Sequence, residues 1–187
     1  MSEAGVPALR TGNAFRLYAE ASGNFDASQI GAIETGIAIA NSSSSPATVT
    51  FELTRLDGTS TGLTGSTSVP GNGQSALFMN QIAGFSSMGN PVTPFQGVLR
   101  ISSSTAAISM VGLRGRYNER RDFLITTTAP VDESSVPPTT ELFFPHLADS
   151  GGYTTQFVLF SGSAGQSSTG TLRLFSQTGQ PLNLPLR

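Results

Sequence analysis

The sequence has no cysteine, no lysine and no tryptophan, and a single histidine. Without cysteine there are no disulfides and no thiolate metal sites. One histidine leaves any transition metal to be held by carboxylates, a poor ligand set for such an ion. Charged residues make up 12% of the chain and the formal net charge is −2, so the dense basic footprint of a nucleic-acid binder is missing. No apolar run is long enough to span a membrane, and the opening "MSEAGVPALRTGN" lacks the apolar core of a signal peptide. With no Trp and only Tyr18, Tyr117 and Tyr153, the aromatic platforms usual in carbohydrate-binding sandwiches are thin.

What is present is apolar residue in alternation with Ser, Thr and Gly. Hydrophobic residues are 37% of the 187, too many for a disordered chain, and 21 glycines with 11 prolines suit many short strands and turns. In "ATVTFELTRL" Val49, Phe51 and Leu53 fall on one face, with Thr48, Thr50, Glu52 and Thr54 on the other, a strand with one wet side. "TGIAIAN" sets Ile37 and Ile39 opposite alanines, as when a second layer lies close. "FQGVLRISSS", "AAISMVGLRGRY" and "DFLITTT" continue the pattern, and Asp57-Gly58 and Thr178-Gly179 supply tight hairpin turns. Only "NQIAGF", residues 80–85, reads as a helical turn. The expected fold is all-β, an antiparallel two-sheet β-sandwich of about twelve strands.

The pattern occurs twice. Phe15, Ala19 and Glu20 lie 129 positions before Phe144, Ala148 and Asp149; Ile37, Ile39, Phe51 and Gly58 lie 121 before Val158, Phe160, Leu172 and Gly179. The difference of eight is an insertion within "GNFDASQIGAIE" of the first copy. The expected organisation is an N-terminal tail, 1–13, and one domain, 14–187. That domain holds a full repeat at 14–128, a Pro-rich extended connector at 129–140 and a truncated repeat at 141–187. The truncated copy holds four strands at most and buries too little to stand alone, and its "QFVLF" suits a strand covered on both faces. It is therefore expected to pack on the first copy. Pro181 and Pro185 protect the final strands against addition of another chain. The segment before Phe15 is the expected route of any self-association.

The stretches "TGIAIANSSSSPATVTFELTRLDGTSTG", "FQGVLRISSS", "VGLRGRYNERRDFLITTT" and "FPHLADSGGYTTQFVLFSGSAGQSSTGTLRLFSQTGQPL" resemble β-rich modules near the C-termini of large secreted bacterial proteins. The resemblance covers residues 14–187 and implies an extracellular or cell-surface setting, with other domains of a larger protein or further copies of itself as partners. It brings no catalytic residues with it. With no leader-like start, a cytoplasmic protein and a secreted module without its leader are both open readings, and the Ser/Thr/Gly-rich, lysine-free composition tilts to the second.

Candidate chemistry is sparse, and neither a cofactor, a metal nor a catalytic residue is expected. "GTSTG" matches the nucleophile-elbow pattern around Ser60, but a strand follows it where the elbow needs a helix. His146, with Asp149 and with Ser150 or Glu141 near it, gives a bare outline of a hydrolase triad or metal pair. The repeat sets His146 on Leu17, which points to an inward or boundary strand position. The acids Glu20 and Asp149 are expected to cap turn amides. Calcium would need a D-x-D-x-D spacing that is absent. The dense charge cluster is "RGRYNERRD": Arg114, Arg116, Arg120 and Arg121, with Tyr117 and Asn118 at the hairpin tip. Arginine forks grip carboxylates, sulfates and phosphates, and Tyr117 could stack on a sugar, so a glycan or other anionic polymer is the candidate ligand. The competing reading is a solvated hairpin whose arginines pair with Glu119 and Asp122. Three functions follow in order: a non-catalytic structural or adhesive module, a glycan- or anionic-polymer-binding module, and a hydrolase.

Overall fold

Alternation sets the strands. In Ala47–Arg55 the residues Ala47, Val49, Phe51 and Leu53 are buried while Thr48, Thr50 and Glu52 face solvent. A computed structural model of the chain describes residues 4–105, 107–135, 141–148, 151–152, 154–161 and 169–183. It is all-β. The strands are β1 (Ala14–Ser22), β2 (Ile33–Asn41), β3 (Ala47–Arg55), β4 (Ser60–Val69), β5 (Gln74–Phe78), β6 (Phe95–Ser103), β7 (Ile108–Tyr117), β8 (Phe123–Thr128), β9 (Val131–Asp132), β10 (Leu174–Phe175) and β11 (Pro181–Leu182). "NQIAGF" begins inside a short 3-10 turn, Met79–Gln81, runs to a second one, Ser86–Gly89, and delivers Ile82 and Phe85 to the core.

Nine strands form one antiparallel sheet in the order β4-β3-β6-β1-β2-β7-β8, with β5 on the edge of β2 and β9 on β1; β10 and β11 form a separate two-stranded sheet. The centre of one arm is β6, whose residues 95–102 pair with 14–21 of β1 and whose residues 97–103 pair with 49–55 of β3. β1 and β2 meet only at Ala21↔Glu34 and Ser22↔Ile33, so the sheet changes direction there. Beyond that corner β2 runs along the whole of β7. Both arms feed one core: Phe15, Leu17, Phe51 and Leu99 from one, Ile37, Ile39 and Met110 from the other. β7 is not hydrogen-bonded to β1, yet a Cβ placed on Gly112 would lie 2.5 Å from Leu17 Cδ1. Glycine is what lets the two strands approach so closely.

Outside this body the sequence expectations meet a different outcome. "QFVLF" was expected as a strand covered on both faces. Residues 154–161 instead form no regular strand, and Leu159 is 67% exposed. Arg16 of the first unit donates to the Ser161 carbonyl and lies 5.8 Å from the Phe160 ring centre. Among the described residues there are eleven strands. The connector's residues 136–140 lie outside those described.

Two local contacts of residues 14–128 have similar contacts within residues 141–183. Arg55 N–H donates to Thr59 O at 2.8 Å and Gly58 N–H to Arg55 O at 3.0 Å, closing the β3–β4 hairpin; Ser176 N–H donates to Gln180 O at 2.8 Å and Gly179 N–H to Ser176 O at 2.9 Å. Gly58 and Gly179 both hold the positive φ this turn requires, 85° and 78°. The Thr35 hydroxyl clips both backbone groups of Glu20, at 2.8 and 3.0 Å, and the Thr155 hydroxyl clips those of Ala148, at 3.0 and 2.9 Å. The clips span 15 and 7 residues, and by the shifts of 129 and 121 the second falls on Ala19 and Glu34, one position before the first at each end.

Among the described residues the core cluster draws on residues between Phe15 and Met110. Removing residues 141–187 should therefore leave a chain that still melts cooperatively, with a midpoint within about 5 °C of the intact protein. A broad, non-cooperative transition in that fragment would show that the second unit completes the core.

Candidate functional site: the arginine hairpin and its surroundings

The β7–β8 hairpin is built around Asn118. This residue is buried although it sits in the turn. Its Oδ1 accepts the N–H groups of Arg120 and Asp122 at 2.9 and 2.8 Å, and its Nδ2 donates to Asp122 Oδ2 at 3.1 Å. The backbone closes through Asn118 N–H to Asp122 O at 3.1 Å and Arg121 N–H to Asn118 O at 2.9 Å, with Arg121 at φ 64°. An Asn side chain standing in for a backbone acceptor is a local device for turning the chain.

The hairpin's arginines diverge. Arg114 donates to Glu20 of β1, Arg116 to Glu119 at 2.8 Å, and Arg120 lies 3.2 Å from Asp122. Arg121 is exposed. Glu20 thus serves as the partner of Arg114 across the corner of the sheet, and not as the expected cap of turn amides. Its repeat counterpart, Asp149, lies outside the described residues. The exposed pairs each contribute roughly 0.2–1 kcal/mol. Tyr117 turns away from the arginines into a ring cluster, 5.5 Å from Phe25 and 5.5 Å from Phe123, with Phe25 also 4.9 Å from Phe78. Gly115 is the floor of this cluster: a Cβ there would meet the Phe25 ring at 2.6 Å.

Glu34 of β2 lies opposite Gly115 in the register and is fully buried. Its Oε1 accepts the Asn80 N–H at 2.7 Å, while its Oε2 and Asn80 Oδ1 are both buried without a hydrogen-bond partner. Two bare acceptors lack a proton, which a neutral carboxylic acid carries. Burial accordingly pushes the Glu34 carboxyl up to about 7, against a smaller downward pull from the Asn80 N–H. Nothing in the sequence marked this residue beyond its place in "AIETGI", at the start of an alternating strand.

The remaining candidates separate. Ser60 opens β4, so a strand does follow "GTSTG", and its hydroxyl accepts the Gly62 N–H at 3.1 Å. His146 is exposed and lies in no strand, unlike the buried Leu17 with which it aligns, so it does not occupy the expected inward or boundary strand position. Glu141 is also exposed, and Asp149 and Ser150 lie outside the described residues. Among the described residues no group of three His, Asp or Glu side chains is placed to hold a metal ion. A shallow depression of about 560 Å³ lies on the outer face of β4, β3 and β6, lined by Thr50, Glu52, Thr64, Ser66, Arg100 and Ser102. Its signal was the run of Thr and Ser on the wet side of "ATVTFELTRL" and "STGLTGSTSV". Arg100 there is held by both oxygens of Glu133 at 2.9 Å.

No family model matches the chain, and no curated protein does. The crystal structure of Thermotoga maritima 1070 is similar to it, with a TM-score of 0.52 at 9% identity, over 68% of this chain and 100% of that one. At that identity the likeness concerns fold alone.

Two outcomes follow. Between about 4.5 and about 7 the unfolded chain loses the Glu34 proton while the folded chain keeps it, so stability falls as pH rises through that window. The loss is on the order of 3 kcal/mol. Glu34→Gln should flatten that slope and melt higher than the parent at pH 8; parallel pH–stability curves for the two proteins would contradict this. Asn118→Ala removes three side-chain hydrogen bonds from a buried position. It should cost about 1–3 kcal/mol in urea unfolding. A change under about 0.5 kcal/mol would mean the turn does not need that side chain.

Proposed function

We propose that this chain is a non-catalytic structural or adhesive β-sandwich module of a secreted or cell-surface bacterial protein. The observation that supports it most is how the hairpin's polar groups are used: Arg114, Arg116 and Arg120 hold Glu20, Glu119 and Asp122, Asn118 holds its own turn, and Tyr117 packs among phenylalanines. Groups so placed build a surface; they do not converge on a ligand. In this reading the two layers of the sandwich are β4-β3-β6-β1 with β9, and β2-β7-β8 with β5, hinged at the short β1–β2 contact. The close approach of Gly112 to Leu17 supports it. The recurrence of the hairpin and of the hydroxyl clip supports a duplicated unit, as modules arranged in series have.

The glycan-binding alternative requires Arg116 and Arg120 to leave their carboxylates. A glycan array probed with the intact chain and with its Arg116→Ala/Arg120→Ala variant separates the two. Indistinguishable, non-saturating signals are expected from both proteins. Saturable binding by the parent that the variant loses would establish the binding module in place of the structural one.

A further inference from the structure

The large sheet ends at β4, and the directions of its backbone groups follow from bonds at the two ends of β3. Thr48 O, on the β6 side of β3, accepts from Ser104 N–H, while Arg55 N–H, on the other side, donates to Thr59 O in the β3–β4 hairpin. These directions alternate along an antiparallel strand. Val49 and Phe51 therefore bond across to their register partners Thr67 and Gly65, and the N–H and C=O groups of Thr64, Ser66 and Ser68 point away from β3. All three residues are exposed, and among the described residues β4 pairs with β3 alone. The register shift between Glu52 and Thr54 confines the regular part of this edge to residues 64–69.

Sheet edges are ordinarily guarded by a charge, a proline, a bulge or a covering segment. Residues 60–69, STGLTGSTSV, contain no charged residue and no proline, and the irregular pairing lies before Thr64. β8, at the opposite end of the strand order, is different: it follows Arg120, Arg121 and Asp122, and its Thr127 hydroxyl donates to Gly5 O. The segment before Phe15, the expected route of self-association, is bonded to its own sheet, where Leu9 O accepts from Ser109 and Gly12 bridges Ile108. Gly84 lies beside the Thr64 carbonyl, where a Cβ would stand 2.6 Å from the oxygen; glycine keeps that end of the edge clear of a side chain.

The strand is complementary to itself. Laid antiparallel against its own copy about Ser66, β4 sets Ser66 opposite Ser66 and Thr64 opposite Ser68, the residues whose backbone groups point outward. On the exposed face hydroxyl meets hydroxyl; on the inner face the same register sets Leu63 opposite Val69 and Gly65 opposite Thr67. No like charges meet, and Thr–Ser and apolar cross-strand pairs each add to a ladder. We infer that β4 is the interface for a second copy of this chain, joined edge to edge about a two-fold axis at Ser66. Main-chain hydrogen bonds supply the affinity, and the alternation of faces supplies the register. A surface that pairs with itself about a two-fold axis is used up in the pairing, so assembly stops at the dimer. The inference goes beyond the structural or adhesive reading and does not rest on it.

The test is sedimentation of the intact chain beside its Ser66→Glu and Ser66→Pro variants. A contact of one strand pair belongs to the small, weak class of interface, so the series runs up to about 300 µM. The parent should pass from monomer to dimer and no further. Ser66→Glu sets like charges opposite each other, and Ser66→Pro removes an N–H that points away from β3; each should weaken the dimer about tenfold or more while the far-UV spectrum stays that of the parent. The chain has no cysteine, so Ser66→Cys gives a second readout. Under mild oxidation it should form a disulfide dimer about tenfold faster than Thr126→Cys, an exposed position on β8. A parent that stays monomeric throughout would overturn the inference. So would a dimer that both Ser66 variants retain, or equal rates of cross-linking at the two cysteines. None of these outcomes depends on whether glycans bind at the arginine hairpin.

Discussion

Backbone pairing on both edges of β6 is the constraint from which the rest of this fold follows. Its residues 95–103 join β1 to β3, two strands that are distant in sequence from it and are not neighbours of each other. With β6 in place, Phe15, Leu17, Phe51 and Leu53 are fixed on one face, and Leu99 and Ile101 lie between them. The corner at Ala21 and Ser22 then carries the chain into the second arm, whose Ile37, Ile39 and Met110 close the core. Hydrogen bonds give this pairing its geometry, and the burial of alternate apolar side chains gives it most of its favourable free energy. Hairpins and hydroxyl clips form between residues close in sequence. Burial of Leu17 and Phe51 needs a neighbour from far along the chain.

That difference explains how much was legible in the sequence. Strand existence was readable from period-two alternation: "ATVTFELTR", "FQGVLRISS", "ISMVGLRGRY" and "FLITTT" all became strands. The turn at Asp57-Gly58 was readable because only one backbone conformation fits it. "QFVLF" misled because composition reports what a strand would bury, not whether anything is present to bury it against. His146 misled in the same way. Alignment with Leu17 transfers an environment only if the environment is rebuilt, and His146 is exposed where Leu17 is buried.

The hairpin cluster was legible in part. Its arginines were evident, and pairing with Glu119 and Asp122 was one of the two readings open from sequence. Arg114 with Glu20 was not readable, since 94 residues separate the two and only the β1–β2 corner brings them together. Glu34 was invisible for a related reason. A carboxylate in a strand reads as a wet-face residue, and it is the ring cluster of Phe25, Phe78, Tyr117 and Phe123 around its register partner Gly115 that dries it.

The account stands most directly on the contrast between the two units, which native-state hydrogen exchange of the chain by itself measures. If β6 is the strand on which ordered pairing depends, its amides and those of β1 and β3 should exchange slowest, only through global unfolding. Residues 171–176, the counterpart of 50–55, should exchange orders of magnitude faster, through local opening. Protection in 171–176 equal to that in β3, or faster exchange in β6 than in the edge strand β4, would contradict the account.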